Sequence, residues 1–330
     1  MRRIAVRAPN WLGDAVMALP AVAALRAHFR EARLVIAAPA SVSPLFLEQM
    51  PGQPDEVVSL DREREIEQLR SLSIDAVLLL PNSFGSAWIA KRSGVPERWG
   101  YAASWRKWLL TRSVPRPRGV VHQAEYYREL VRALGIDAHD DVPRVAPRPE
   151  TLARADAALT AAGWKPGEPL IGFAPGAAYG HAKRWPPDRV AAVVAAVSSR
   201  GGVPVLVGAP ADRDTRRAIE SSLPPGTRFI DLIGRTDLAT FIGVAARCAA
   251  FVSNDSGAMH VAAALGVPVT AIFGPTDERA TAPAGPGRRT VIVRDVFCRP
   301  CMLRECPIDH RCMKRIHVDD VIDSISFTAK

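Results

Sequence analysis

Residues 250–273, reading AFVSNDSGAMHVAAALGVPVTAIF, limit what this chain can fold into more than any other stretch. A β-like run at 250–253 meets a polar turn, Asn254-Asp255-Ser256-Gly257; an apolar helix at 258–265 and a second strand at 268–273 follow. Polar residues gathered at the carboxyl end of a strand, just before a helix, belong to a parallel α/β layer. A helix start there offers free backbone N–H groups and the positive end of a dipole, which together suit a phosphate. Ser256 and His260 are four apart and are expected on one helix face, with Asp255 free to accept bonds from sugar hydroxyls. The plainer alternative is that Asp255 or Ser256 simply caps the helix.

The same alternation runs through the chain. Strands are expected at 4–6, 34–38, 57–60 and 76–80, with helices at 15–29, 42–49, 62–71 and 123–134. A stretch rich in proline and charge, DDVPRVAPRPE, then reads as a linker. After it come helices at 151–162, 187–199, 212–222 and 237–246, and strands at 170–174, 203–208 and 229–231. The fold class is therefore α/β: two Rossmann-like, doubly wound parallel-sheet domains, residues 1–150 and 151–330. A ligand cleft is expected between them, at the carboxyl ends of the strands.

No G-x-G-x-x-G follows either leading strand and no G-x-x-x-x-G-K-[ST] is present, which argues against a dinucleotide oxidoreductase and a P-loop NTPase. No apolar run reaches the ~18–20 residues that span a bilayer. The N-terminus lacks a signal-peptide core, so a cytoplasmic protein is expected. The formal charge of +9 fits an anionic partner. Nucleic acid is disfavoured, because no helix-turn-helix, RNP or zinc-finger spacing occurs. Between Trp88 and Arg118 eight basic residues stand against one acid, Glu97, interleaved with Trp88, Trp99, Tyr101, Trp105 and Trp108. That mixture fits a surface meeting anionic headgroups, or a solvated basic loop with its tryptophans in the core.

Three further places carry chemistry. Asp14 sits where the turn after the first strand enters a helix; it reads as a carboxylate facing the cleft or as an acid balancing the helix dipole. The segment FAPGAAYGHAKRWP, residues 173–186, leaves a strand through small residues that let backbone approach a ligand, and Lys183 can neutralise phosphate charge. Finally, Cys298, Cys301, Cys306 and Cys312 fall within 15 residues, with His310 and His317 nearby. In a reducing compartment such clustering favours a structural zinc over disulfides; the alternative is a set of free thiols.

Four segments in register, RAPNWLGDAVMALPAV, LLLPNSFGSA, FAPGAAYGHAKRWP and NDSGAMHVAAALGVPVTAIFGPT, resemble the ADP-heptose:lipopolysaccharide heptosyltransferases, bacterial glycosyltransferases of the GT-B fold. The PNSF and AKRWP segments favour the members that add the second inner-core heptose. The resemblance implies inverting transfer from ADP-heptose to heptosyl-Kdo2-lipid A. The enzyme would be a monomer, peripheral at the cytoplasmic face of the inner membrane, with no strict need for a divalent ion. It implies that Asp14 is the general base and that Lys183 steadies the donor phosphates. Gly176, Ala177, Asp212, Thr236, Leu238, Asp255, Ser256, Gly257 and His260 would complete the donor site. Asn10, Trp11, Gly13, Asn82, Arg98, Arg106 and Lys107 are the acceptor-side candidates. The cysteine-rich tail occurs in only a subset of the family, so no role is carried over to it. A transferase adding the first heptose, or a non-catalytic nucleotide-sugar-binding protein, remains as the alternative reading.

Overall fold

The structure, a computed structural model, describes residues 1–139 and 141–325; Asp140, in the proline-rich stretch, and the last five positions lie outside them. The chain divides into two compact units, Met1–Ala146 and Pro147–Lys330.

The first unit holds strands β1 (Arg3–Arg7), β2 (Arg33–Pro39), β3 (Glu56–Leu60), β4 (Ala76–Leu79), β5 (Glu97–Tyr101) and β6 (Arg112–Val114). Their order is β3-β2-β1-β4-β5-β6. The second holds β7 (Leu170–Ala174), β8 (Val203–Gly208), β9 (Ile230–Ile233), β10 (Ala250–Asn254), β11 (Val269–Ile272) and β12 (Arg289–Ile292), ordered β12-β11-β10-β7-β8-β9. Counted from its own first strand, each sheet reads 3-2-1-4-5-6, the doubly wound dinucleotide-fold order. Every pairing is parallel; Val6 sits between Ile36 and Leu78, and Phe173 between Val252 and Leu206. Parallel strands covered on both faces must be apolar throughout, and β4 and β7 are buried at every residue. The edge strands β3 and β12 are the more open ones.

Order reverses between β1 and β4 in one unit and between β7 and β10 in the other, and the loops beyond their carboxyl ends carry the candidate residues. Several elements differ from the sequence reading. The helix expected at 15–29 is two, Leu12–Met17 and Leu19–His28, because Pro20 near the second start cannot continue a hydrogen-bond ladder. The helix expected at 42–49 is a 3₁₀ turn, Ser43–Leu47, and Asp212 closes another, Pro210–Asp212, before the helix Arg213–Ser221.

The basic window is the largest correction. It contains β5, β6 and the end of the helix Phe84–Arg92. Trp99 and Tyr101 are core residues at 1% exposure, while Trp105 is 93% exposed. The window is therefore part core and part exposed surface. β5 and β6 were hidden because ERWGY and RSV are short and carry charge at their ends. Among the described residues, no helix is long and apolar enough to cross a membrane.

Candidate active site

In the second unit the loop after β7 and the turn after β10 are tied together by side chains. Asn254 accepts the Trp185 backbone N–H at 3.2 Å and donates from Nδ2 to the Pro175 carbonyl at 2.6 Å. Lys183 is thereby brought to Asp255, with Nζ 2.6 Å from Oδ2. The same oxygen accepts the Thr276 hydroxyl at 2.6 Å. Asp255 is buried, and two strong donors satisfy a carboxylate that burial would otherwise penalise. Tyr179 lies under the lysine, with Nζ 4.6 Å from the ring centre.

Neither Asp255 nor Ser256 caps the helix that follows, Gly257–Ala264, through its side chain. Ser256 instead meets the Ser253 hydroxyl at 3.0 Å. It stands at the N-cap in extended backbone, outside the helix on which His260 is buried, so the shared face expected for the two is not formed. The helix start thus keeps backbone N–H groups for a ligand, next to an ammonium fixed by Asp255.

Gly176 and Ala177 follow β7 after Pro175. A Cβ on Gly176 would fall 2.3 Å from the Asp212 carboxylate, so the glycine makes room for Asp212. Asp212 is buried, accepts the Ala209 N–H at 3.0 Å and pairs with Arg184 at 3.3 Å. Its carboxylate is engaged in holding the KRW turn in place. Thr236 and Leu238 are half-buried beyond β9, two strands along the sheet from β7.

In the first unit Asn10, Trp11, Gly13 and Asp14 follow β1, and Asn82 follows β4. Arg7 fixes this loop: it pairs with buried Glu65 at 2.7 Å and donates to the Ala8 carbonyl and to Asn10 Oδ1. Asp14 is half-buried in the first turn of its helix, where the dipole favours a carboxylate. It lies near Tyr127, whose hydroxyl is pushed well above its usual range by burial first and by the Asp14 charge second. Asn82 donates to the Tyr126 hydroxyl at 2.8 Å.

Two acceptor-side expectations are corrected. Arg106 is fully buried; it donates to the carbonyls of Tyr101, Pro81 and Ser83, to Ser86 Oγ and to Asn82 Oδ1, and burial pulls its pKa down to about 10. Arg98 donates to the carbonyls of Leu109, Val95 and Pro96. Both arginines hold the chain around β5; Arg106 has no exposed surface left for a ligand, and Arg98 is half-buried. Of the three basic candidates, Lys107 is the exposed one.

Cys298, Cys301, Cys306 and Cys312 line one cavity of ≈ 20 Å³ with Asp309 and His310, and all are free thiols. The Cys306 sulfur accepts the His310 N–H at 3.3 Å, and burial raises the Cys312 thiol. Among the described residues no three His, Cys, Asp or Glu side chains converge so as to hold a metal ion.

Sequence reasoning missed Thr276, Asn254 as a brace, Tyr127, Tyr179 and the Arg7–Glu65 pair. Thr276 carried a signal: the run after β11, Gly274-Pro275-Thr276, leaves the sheet beside the turn holding Asp255.

Two Rossmann-ordered units, one with an ammonium held at the start of a helix beyond its switch point, are the architecture of a nucleotide-sugar glycosyltransferase. Comparison with known proteins supplies the family. Residues 62–311 match the family model of Glycosyltransferase family 9 (heptosyltransferase). The lipopolysaccharide heptosyltransferase 2 of Salmonella typhimurium is 31% identical over 312 residues, 88% of this chain and 87% of that one. The lipooligosaccharide heptosyltransferase 2 of Haemophilus ducreyi is also 31% identical, covering 88% of both chains. Among solved structures, E. coli ADP-heptose lps heptosyltransferase II superposes with a TM-score of 0.82 at 26% identity, covering 98% of this chain and 97% of that one. The chain belongs to glycosyltransferase family 9, the heptosyltransferases.

Proposed function

We propose that this enzyme moves L-glycero-D-manno-heptose from ADP-heptose to heptosyl-Kdo2-lipid A, with inversion at the anomeric carbon. The observation that carries the donor half is the Lys183–Asp255 pair beside the uncapped start of the helix Gly257–Ala264. The acceptor half rests on similarity to proteins named for the second heptose over most of the chain. Asp14 takes the proton of the attacking hydroxyl. That oxygen bonds to the anomeric carbon while the bond from this carbon to the diphosphate breaks. ADP leaves with the electron pair, and Lys183 with the helix N–H groups balances its charge.

A lipid-linked acceptor puts the reaction at a membrane surface. Exposed Phe84, Trp88 and Trp108 pack together on the first unit, with ring centres 6.3 and 6.1 Å apart, and Lys91 lies 4.9 Å above Trp108. Aromatic rings rimmed by cations suit the headgroup layer of an anionic bilayer. Vesicles containing phosphatidylglycerol should retain the enzyme, and Trp88→Ser with Lys91→Glu should release it. Equal retention of the variant would remove this patch from the account.

Acceptor choice is tested by ADP release with Kdo2-lipid A or heptosyl-Kdo2-lipid A. Turnover with the second alone is the expected result. Turnover with the first alone would make the enzyme the one that adds the first heptose.

A further inference from the structure

The cysteine-rich segment is built into the donor site. Met302 N–H donates to the Pro275 carbonyl at 2.9 Å, and the Tyr179 hydroxyl donates to the Met302 carbonyl at 2.7 Å. Ala182 N–H donates to the Arg304 carbonyl at 2.9 Å. A Cβ on Gly180 would fall 2.4 Å from that same carbonyl oxygen, so the glycine lets the two backbones touch. Arg299 donates to the carbonyls of Gly274 (2.7 Å) and Thr276 (2.9 Å). Residues 298–306 thus hold both loops that carry the Lys183–Asp255–Thr276 cluster.

Both cations of that cluster are shared with carboxylates: Lys183 with Asp255 and Arg184 with Asp212, which leaves a diphosphate room for a further cation. Arg304 differs. Its guanidinium lies 5.2 Å from the centre of the Tyr179 ring, the ring that Lys183 also approaches, and it is exposed. Among the described residues no carboxylate pairs with it. Its backbone is locked to the lysine loop, and its side chain meets the same ring as Lys183. A planar fork of donors suits phosphate oxygens.

We propose that Arg304, presented by the cysteine-rich segment and aligned by Tyr179, is a second cationic ligand of the donor's diphosphate. The proposal rests on the transferase reading above. The test is calorimetric titration of the full-length enzyme with ADP and with AMP. Arg304→Ala should weaken ADP about tenfold or more and leave AMP within about twofold, and Arg304→Lys should recover part of the loss. Tyr179→Leu should weaken ADP in the same direction. Wild-type affinity for ADP in Arg304→Ala, or equal losses for ADP and AMP, would overturn the proposal and leave the transferase reading standing. A wild-type enzyme that bound neither nucleotide would overturn both.

Discussion

Replacing Arg106 by Met separates the two readings of the basic window. The guanidinium donates to five acceptors: the carbonyls of Tyr101, Pro81 and Ser83, Ser86 Oγ and Asn82 Oδ1. Bonds from a charged donor are worth about 1.5–3 kcal/mol each; with three of the five at about 2–2.7 kcal/mol, the loss is about 6–8 kcal/mol. Against this stands the cost of burying the charge. A pKa lowered from 12.5 to about 10 corresponds to about 3 kcal/mol, which the methionine recovers. The balance is a destabilisation of about 3–5 kcal/mol. For a unit of this size that is a fall in Tm of about 10–15 °C. Lys107→Met, one residue on and exposed, should stay within about 0.5 kcal/mol of wild type. Thermal denaturation followed by circular dichroism reads both. An Arg106→Met protein melting within about 3 °C of wild type would refute the structural role and return Arg106 to the surface.

Further expectations follow from the same geometry. Gly176→Ala drives a Cβ into the Asp212 carboxylate and should cost about 1–3 kcal/mol; made in an Asp212→Ala background it should cost less than half of that, and an equal cost in both backgrounds in denaturant titrations would show that the strain lies elsewhere. Bonds from Trp99 and Thr111 hold the Glu97 carboxyl below its ordinary 4.5, so its stabilisation is present above that pH and lost as pH falls through the lowered value. Wild type should therefore melt above Glu97→Gln near neutrality, the gap closing as pH falls below the ordinary 4.5 and through the lowered value; a gap that widened in acid would contradict the assignment. Under reducing conditions iodoacetamide should label Cys298, Cys301 and Cys306 before buried Cys312 and Cys248. Protection of all four clustered thiols by added zinc would show that metal binding gathers them into a site.

Both sheets were legible because their central strands are continuous apolar runs; 170–174 and 203–208 coincide with β7 and β8. β5, β6 and β12 were not, since each is short and opens on two charged or polar residues, ER, RS and RT. Lys183 and Asp255 could be singled out from strand-end position alone, but not their mutual contact across 72 positions. That contact depends on Asn254 bridging two loops, and no local pattern records such a bridge. Gly176 and Gly180 were read as openings for a ligand, whereas their space is taken by Asp212 and by the Arg304 backbone. A glycine announces close approach but not what approaches. Arg98 and Arg106 misled for a related reason: charge predicts solvent until backbone carbonyls are arranged to receive it.

The central claim is heptosyl transfer by Asp14 and Lys183. It is tested most directly by mass spectrometry of heptosyl-Kdo2-lipid A incubated with ADP-heptose and the enzyme in EDTA. The expected product is an acceptor heavier by one heptosyl group, formed about 10²–10⁴-fold more slowly by Asp14→Asn and about 10²–10³-fold more slowly by Lys183→Ala. An unchanged acceptor with wild type, or undiminished transfer by either variant, would contradict it.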